Sequence, residues 1–429
     1  MVPAGKQEKR KRPALRLDLP RVLLALVPVM AFAAFARPAV SEFYASRFLK
    51  DNGSRDIFTA MAITREDARY SRALGCLYQN ASGTVGLQKA AALYRQSLSK
   101  NPLDAQTWLS LARVYDEAGD KLRMDFALEK ALHRSSGDPR AVWDSGVLLF
   151  QTGDTSRAVA QMKRYIRIRP DEQRKVYTLC VTLGLAPRYL QENLVPEEKP
   201  FLRRWLSFLM DSGLTEATGP AWSELRRAGP DRGDYLGYCG FLIDKGHFMR
   251  ALAVWNEFLS FGSLKFLHKS GQIWNGGFDL PPLERGFDWK IGKAKGVSIF
   301  LDGNVRRSGR YSLGASFDGT SNPDICLARQ IVPVEAKHAY AVSGYLKTSG
   351  ITSDSGIFFE IKGYKCRGLD KSSEPVTGTN PWEEKSVEFR VPPACRAVTV
   401  GIRRSSSTSL DNRIRGEIWA DSIHMIGIK

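Results

Sequence analysis

A repeat period of 34 residues constrains this chain more than any other feature. Gly119 and Gly153 lie 34 positions apart, as do Ala90 and Met124, and Met124 and Ala158. Ala90, Tyr94, Ser97 and Pro102 fall at the offsets of Met124, Leu128 and Ala131, and again of Ala158, Met162, Tyr165 and Pro170. Leu74 to Tyr78 reads L-G-x-x-Y, and Trp108 to Tyr115 reads W-x-x-L-A-x-x-Y. Two amphipathic helices per period cannot each bury an apolar face alone, so successive pairs must stack into a solenoid. Small residues at Gly75, Ala112 and Gly146 let each first helix approach its partner, and Ala90 and Ala158 do so from the second helix. Gly119 and Gly153 supply the turns, while Pro102 and Pro170 stop the second helices. The aromatic stripe of Tyr78, Tyr94, Trp108 and Tyr115 is expected to be inter-helix core.

These residues resemble the tetratricopeptide repeat family. The resemblance implies a helical solenoid with a groove that takes a protein partner. After Pro170 the period weakens. Val176 to Leu185 reads as a lone first helix and Pro187 to Pro200 as an interruption. Two more pairs follow, one from Trp205 through Gly213 to Trp222, the other from Tyr235 through Gly246 to Phe258. The solenoid is expected over 41–263, with 41–67 helical and leading into it.

The N-terminus has a different character. Residues 1–21 form a basic leader carrying Lys6, Lys9, Arg10, Lys11, Arg12, Arg16 and Arg21. Val22 to Ala36 is apolar, and Arg37 closes it. Fifteen helical residues span roughly 22 Å, short of the ~30 Å hydrocarbon core. Two readings of 22–37 stay open. Ala34-Phe35-Ala36 offers a cleavage site for a signal peptide. The long basic leader, the snorkelling arginines and Pro38 favour an uncleaved anchor. Both place the leader in the cytoplasm and export the rest, so the expected location is the inner membrane, single-pass, with the bulk of the chain in the periplasm. Export after signal cleavage is the alternative.

Near 265–271 the apolar period changes from 3.6 to 2. Alternating runs follow at Val297–Asp302, Tyr311–Phe317, Ile325–Val332, Ala339–Thr348, Gly356–Tyr364, Lys385–Val391, Ala397–Arg403 and Gly416–Ile426. Eight such runs, separated by Gly, Pro, Asn and Asp, predict an antiparallel β-sandwich over 270–429. The fold class is therefore multidomain α + β, with an N-terminal membrane helix, a helical solenoid and a C-terminal sandwich. Asn275-Gly276-Gly277-Phe278-Asp279 opens the domain, Gly309 to Leu313 and Tyr340 to Tyr345 follow, and Trp382 and Ile418 to Asp421 come late. In that order these resemble the galactose-binding-like jelly rolls of bacterial carbohydrate-binding modules.

That resemblance implies sugar held on one sheet by aromatic faces and polar side chains. Alternation buries Ile357, Phe359 and Ile361 and leaves Phe358, Glu360, Lys362 and Tyr364 outward. It buries Tyr340, Val342 and Leu346 and leaves Ser343, Tyr345 and Lys347 outward. One surface joining Tyr345, Lys347, Phe358, Glu360, Lys362 and Tyr364 is the expected carbohydrate site. Some members of the resembled family hold a structural calcium ion, and Asp279 and Asp421 occupy the matching places. An acid capping a turn is the competing reading of each.

The net charge of +18 points to a partner with negative potential or to a membrane surface. It is dispersed and carries no nucleic-acid motif, so nucleic acid is not expected. Six cysteines lie far apart without a C-x-x-C pair, which argues against zinc. Cys366 and Cys395 both sit in turn-like segments and could pair in an oxidising compartment. His133, His247, His268, His338 and His424 show no metalloprotease or triad spacing, and no phosphate-binding loop occurs. No catalytic site is expected. Proteins combining such repeats, an anchor and such a sandwich resemble those that accompany exopolysaccharide assembly and export. The reading is thus an exported scaffold binding protein through the solenoid and a bacterial polysaccharide through the sandwich. A purely protein-binding adaptor is the alternative, with the sandwich docked on its own solenoid, and a polysaccharide-processing enzyme is the third reading.

Overall fold

The computed structural model describes residues 36–47, 54–64, 67–81, 83–135, 137–262, 273–409 and 412–428. The expected leader and residues 22–35 of the expected membrane segment lie outside the described residues. No described helix is long and apolar enough to cross a membrane. The chain divides in sequence at Pro196/Glu197 into two compact units. That boundary falls inside the stretch read above as one solenoid.

The first unit is helical: α1 (36–47), α2 (Ser54–Ile63), α3 (Ala68–Asn80), α4 (Thr84–Lys100), α5 (Ala105–Glu117), α6 (Lys121–Arg134), α7 (Pro139–Gln151), α8 (Thr155–Ile168), α9 (Gln173–Thr182) and α10 (Pro187–Asn193). Sequence dictates the ends. Asp67, Asp104, Asp120, Asp138 and Asp154 each accept a hydrogen bond from a backbone N–H of the first turn, satisfying donors the helix cannot. Gly119 and Gly153 adopt φ of +74° and +85° between paired helices, a backbone state that penalises any Cβ. The small residues do what the period requires. A Cβ on Gly75 would lie 2.8 Å from the Tyr94 ring, and one on Gly146 would lie 2.7 Å from the Met162 methyl. Ala90, Ala112 and Ala158 are fully buried, and one apolar core runs through α4 to α8.

Two corrections apply. The interruption at 187–200 contains a helix, α10, opened by Pro187 at its first position, where a missing N–H costs nothing. The next helix begins at Lys199, before the interruption was expected to end.

Among the described residues, the second unit holds α11 (Lys199–Asp211), α12 (Thr215–Arg227), α13 (Arg232–Asp244), α14 (Phe248–Phe261) and ten strands. The strands are β1 (Lys290–Ile291), β2 (Val297–Asp302), β3 (Ser312–Asp318), β4 (Ile325–Pro333), β5 (Ala339–Ile351), β6 (Ile357–Gly363), β7 (Asp370–Ser372), β8 (Gly378–Arg390), β9 (Ala397–Arg404) and β10 (Arg415–Ile428). All pairings are antiparallel, in two sheets ordered β1-β4-β9-β6-β7 and β2-β3-β10-β5-β8. The inward residues of both sheets form one core around Phe278, Trp289, Phe359, Val400 and Ile418. Arg404 is buried among this shell, its guanidinium donating to Asn322 Oδ1, the Pro323 and Asn412 carbonyls and Ser353 Oγ, so that it ties three loops together.

The sandwich packs on its preceding helices. Trp255 of α14 meets Trp274 edge-on at 5.9 Å and Phe287 at 6.2 Å. Phe248 of α14 meets Tyr364 at 5.8 Å, and Lys365 donates to the Asp244 carbonyl.

Candidate functional site

The six expected sugar-binding residues are outward, as alternation predicts, but they do not form one surface. Tyr345 and Lys347 lie on β5; Phe358, Glu360 and Lys362 lie on β6, with Tyr364 just beyond it. These strands belong to different sheets, so the two groups occupy opposite outer faces with the core between them. Period-two alternation separates inside from outside and is silent on which sheet a strand joins.

On the face carrying β6, Glu360 is already engaged. It lies 2.8 Å from Lys362 Nζ and 3.2 Å from Arg403 Nε, and Arg403 also reaches Asp324 at 2.7 Å. The bond to Glu360 raises the pKa of Lys362. Tyr364 sits at the seam with α14 described above, and burial raises its phenol pKa. Thr399, opposite Lys362, lies near this seam, whereas Phe358 stands opposite Arg403 toward the other end of β6.

On the other face, the Arg307 guanidinium lies 3.5 Å from the Tyr345 ring centroid, and the Tyr345 hydroxyl donates to Glu384 at 3.0 Å. Lys347 stands opposite Trp419, whose indole N–H donates to Asp302 at 2.9 Å. Ser343 and His424, direct cross-strand partners, approach at 2.8 Å, a pairing that sequence spacing did not reveal. It ties β5 to β10 beside the bulge at Asp421–His424.

Asp279 and Asp421 do converge. A Cβ on Gly277 would lie 3.6 Å from an oxygen of each. Asp421 accepts from the amides of Arg307 at 2.7 Å and Ser308 at 3.0 Å, and Asp279 from that of Arg310. Burial pushes the Asp421 carboxyl pKa up despite those bonds. A buried carboxylate so disfavoured, beside a second one, suits a hard cation. The described residues hold no group of three or more His, Cys, Asp or Glu side chains able to bind a metal, so backbone and water oxygens would have to complete any shell. Cys366 and Cys395 are joined as a disulfide.

The first unit carries a groove of about 630 Å³. Its walls come from one face of successive first helices: Cys76 and Asn80 on α3, Gln106, Ser110 and Arg113 on α5, Arg140 and Asp144 on α7. The i, i+4, i+7 spacing puts each set in one row. Tyr94, fully buried, forms part of the floor; its hydroxyl approaches Gln79 at 3.0 Å, and burial first raises its pKa. Arg72 is paired to Asp104 at 3.1 Å, whereas Arg113 and Arg140 make no side-chain ion pair among the described residues. Sequence reasoning located these helices without selecting the groove arginines, because the repeat pattern records packing positions and leaves groove positions free.

A tetratricopeptide repeat model matches residues 127–172. No curated protein sequence matches the chain. Among solved structures, bacteriophage CBA120 tailspike protein 4, enzymatically active domain, is 14% identical with a TM-score of 0.27, over 37% of this chain and 21% of its own. This chain thus spans about a fifth of that one. The C-terminal family 22 carbohydrate binding module of Clostridium thermocellum Xyn10B is 12% identical with a TM-score of 0.27, over 37% of this chain and 96% of its own. YrrB, described as a TPR protein with an unusual peptide-binding site, is 13% identical with a TM-score of 0.24, over 48% of this chain and 91% of its own.

Proposed function

We propose that this chain is a non-catalytic scaffold that holds a protein segment in its repeat groove and a glycan on its sandwich, tethered at a bacterial membrane and serving envelope polysaccharide assembly or export. The groove carries the reading: it is open, about 630 Å³, and presents Arg113 and Arg140 without acidic partners among the described residues. Stacked repeats leave such a surface as a by-product of burying their other faces. The test is a peptide array probed with the full chain and with Arg113→Glu/Arg140→Glu. Segments bound by the first and lost by the second, at unchanged thermal stability, support the groove. Equal binding by both refutes it.

Support for export comes from the basic leader before the apolar 22–36 stretch and from the Cys366–Cys395 disulfide, a bond that persists in oxidising compartments. An alkaline phosphatase reporter fused after Lys50 should be active outside the cytoplasm. Activity confined to a cytoplasmic reporter at the same junction would sink this part. Calcium, where it binds, would be held by Asp279 and Asp421 and would offset the burial cost of the second carboxylate.

One observation favours a second reading. Trp255, Trp274 and Phe287 pack together, and Tyr364 meets Phe248, so part of the sandwich serves as a docking surface for the helices of its own unit. In that adaptor reading the outward aromatics stabilise the unit and bind no sugar.

A further inference from the structure

Two adjoining cavities open where α13 faces the outer surface of the sheet containing β1 and β4. The larger, about 280 Å³, has Gly237 and Gly240 of α13 on one wall; the smaller, about 160 Å³, is lined by Lys290, Arg329, Tyr364 and Thr399 among others. They share Gly286, Lys290 and Ile331. Together they reach the lower end of the range for small-ligand pockets, about 300–1,000 Å³. A Cβ at Gly237 or Gly240 would meet nothing within 4 Å, so the helix wall is bare backbone beside open space.

The charges in this seam are arranged against the stability of the sheet. Lys290 on β1 and Arg329 on β4 are directly opposed, so their side chains share one face. Like charges at directly opposed positions repel. Neither forms an ion pair among the described residues, and both border the smaller cavity. Its carboxylate, Asp288, is only 2% exposed and is occupied by the amides of Leu283 and Trp289, each donating at 2.7 Å. Asp244 and Glu284 border only the larger cavity. Lys290 borders that cavity too, so the smaller end holds two cations, Lys290 and Arg329, that no carboxylate meets at ion-pair distance among the described residues, beside an aromatic ring and a hydroxyl.

We propose that this seam binds an acidic saccharide, a uronic-acid oligomer whose carboxylate bridges Lys290 and Arg329. A sugar ring lies against Tyr364 with its hydroxyls toward Thr399, and the chain continues along the bare wall of α13. This rests on the glycan half of the function proposed above and names its ligand class and place. The site differs from the surface expected from sequence: it shares only Tyr364 with it and takes one wall from a helix. A neutral glycan would leave both cations unmatched.

The test is calorimetry of the full chain with oligogalacturonate and oligomannuronate fragments, a neutral oligogalactan and inorganic phosphate. The expected result is binding of an acidic oligomer, weakened at least tenfold in Lys290→Ala/Arg329→Ala and in Gly240→Leu, which fills the wall while keeping both charges. Glu384→Ala, on the opposite face, should bind as the parent does. Relieving a like-charge pair should not lower stability, so thermal melts of the double variant separate lost binding from lost fold. Binding of the neutral oligomer alone, or acidic binding untouched by both seam variants, overturns this inference and leaves the glycan reading standing. Phosphate displacing the acidic oligomer at equal concentration overturns saccharide recognition here. No heat with any oligosaccharide overturns both.

Discussion

Gly75 and Gly146 occupy equivalent places in the repeat but differ in what they face. A Cβ on Gly75 meets the ring of Tyr94, a rigid plane that is fully buried; one on Gly146 meets the terminal methyl of Met162, which can swing away. Replacing a helical glycine by alanine gains about 1 kcal/mol in propensity, while overpacking a closed core costs about 1–3 kcal/mol. Gly75→Ala should therefore lower Tm by a few degrees, and Gly146→Ala should leave it nearly unchanged or raised. Thermal melts followed by circular dichroism check the ordering, and equal loss in both would contradict it. At this scale the sequence was most readable where packing sets the residue. Gly75, Ala112 and Gly146 announced close approach by their size. Arg113 and Arg140 announced nothing, since a groove position tolerates many side chains and only the assembled helices reveal which residues share a wall.

Among elements, alternation located strands well. The run Val297–Asp302 coincides with β2, and Ile357, Phe359 and Ile361 are all fully buried, as the pattern requires. Two strands escaped it. β1 has two residues and β7 three, all three of β7 exposed, too short for a period to register. Sheet membership escaped as well: β5 and β6 are consecutive in sequence yet belong to different sheets, which split the expected sugar surface into two faces. The pairing of Asp279 with Asp421 was legible because both ends of the domain carry an acid at the matching place, and the structure brings the opening turn against the last strand. Calcium bridging them would lock that turn to β10. Millimolar calcium should then raise Tm and chelator lower it, by an amount that follows the free-ion concentration, since a ligand at 100 times its Kd stabilises by about 2.7 kcal/mol. Identical melts in calcium and chelator would assign both carboxylates to the backbone amides alone.

In the whole molecule, two units carry two different kinds of surface. The repeats of the first present a groove with two arginines outside any ion pair among the described residues, and the second presents a seam between its sheet and helix α13 where Lys290 and Arg329 stand side by side. The net charge of +18 acquires a specific meaning in such places, where arginine or lysine forms no ion pair among the described residues. The Ser343–His424 contact links adjacent strands β5 and β10. The claim on which the account turns is that the second unit recognises glycan. Its most direct test is titration calorimetry of the full chain against a broad panel of bacterial polysaccharide fragments, neutral and acidic. Saturable heat with at least one acidic member is the expected result, and heats that remain flat across the entire panel would contradict glycan recognition by this unit.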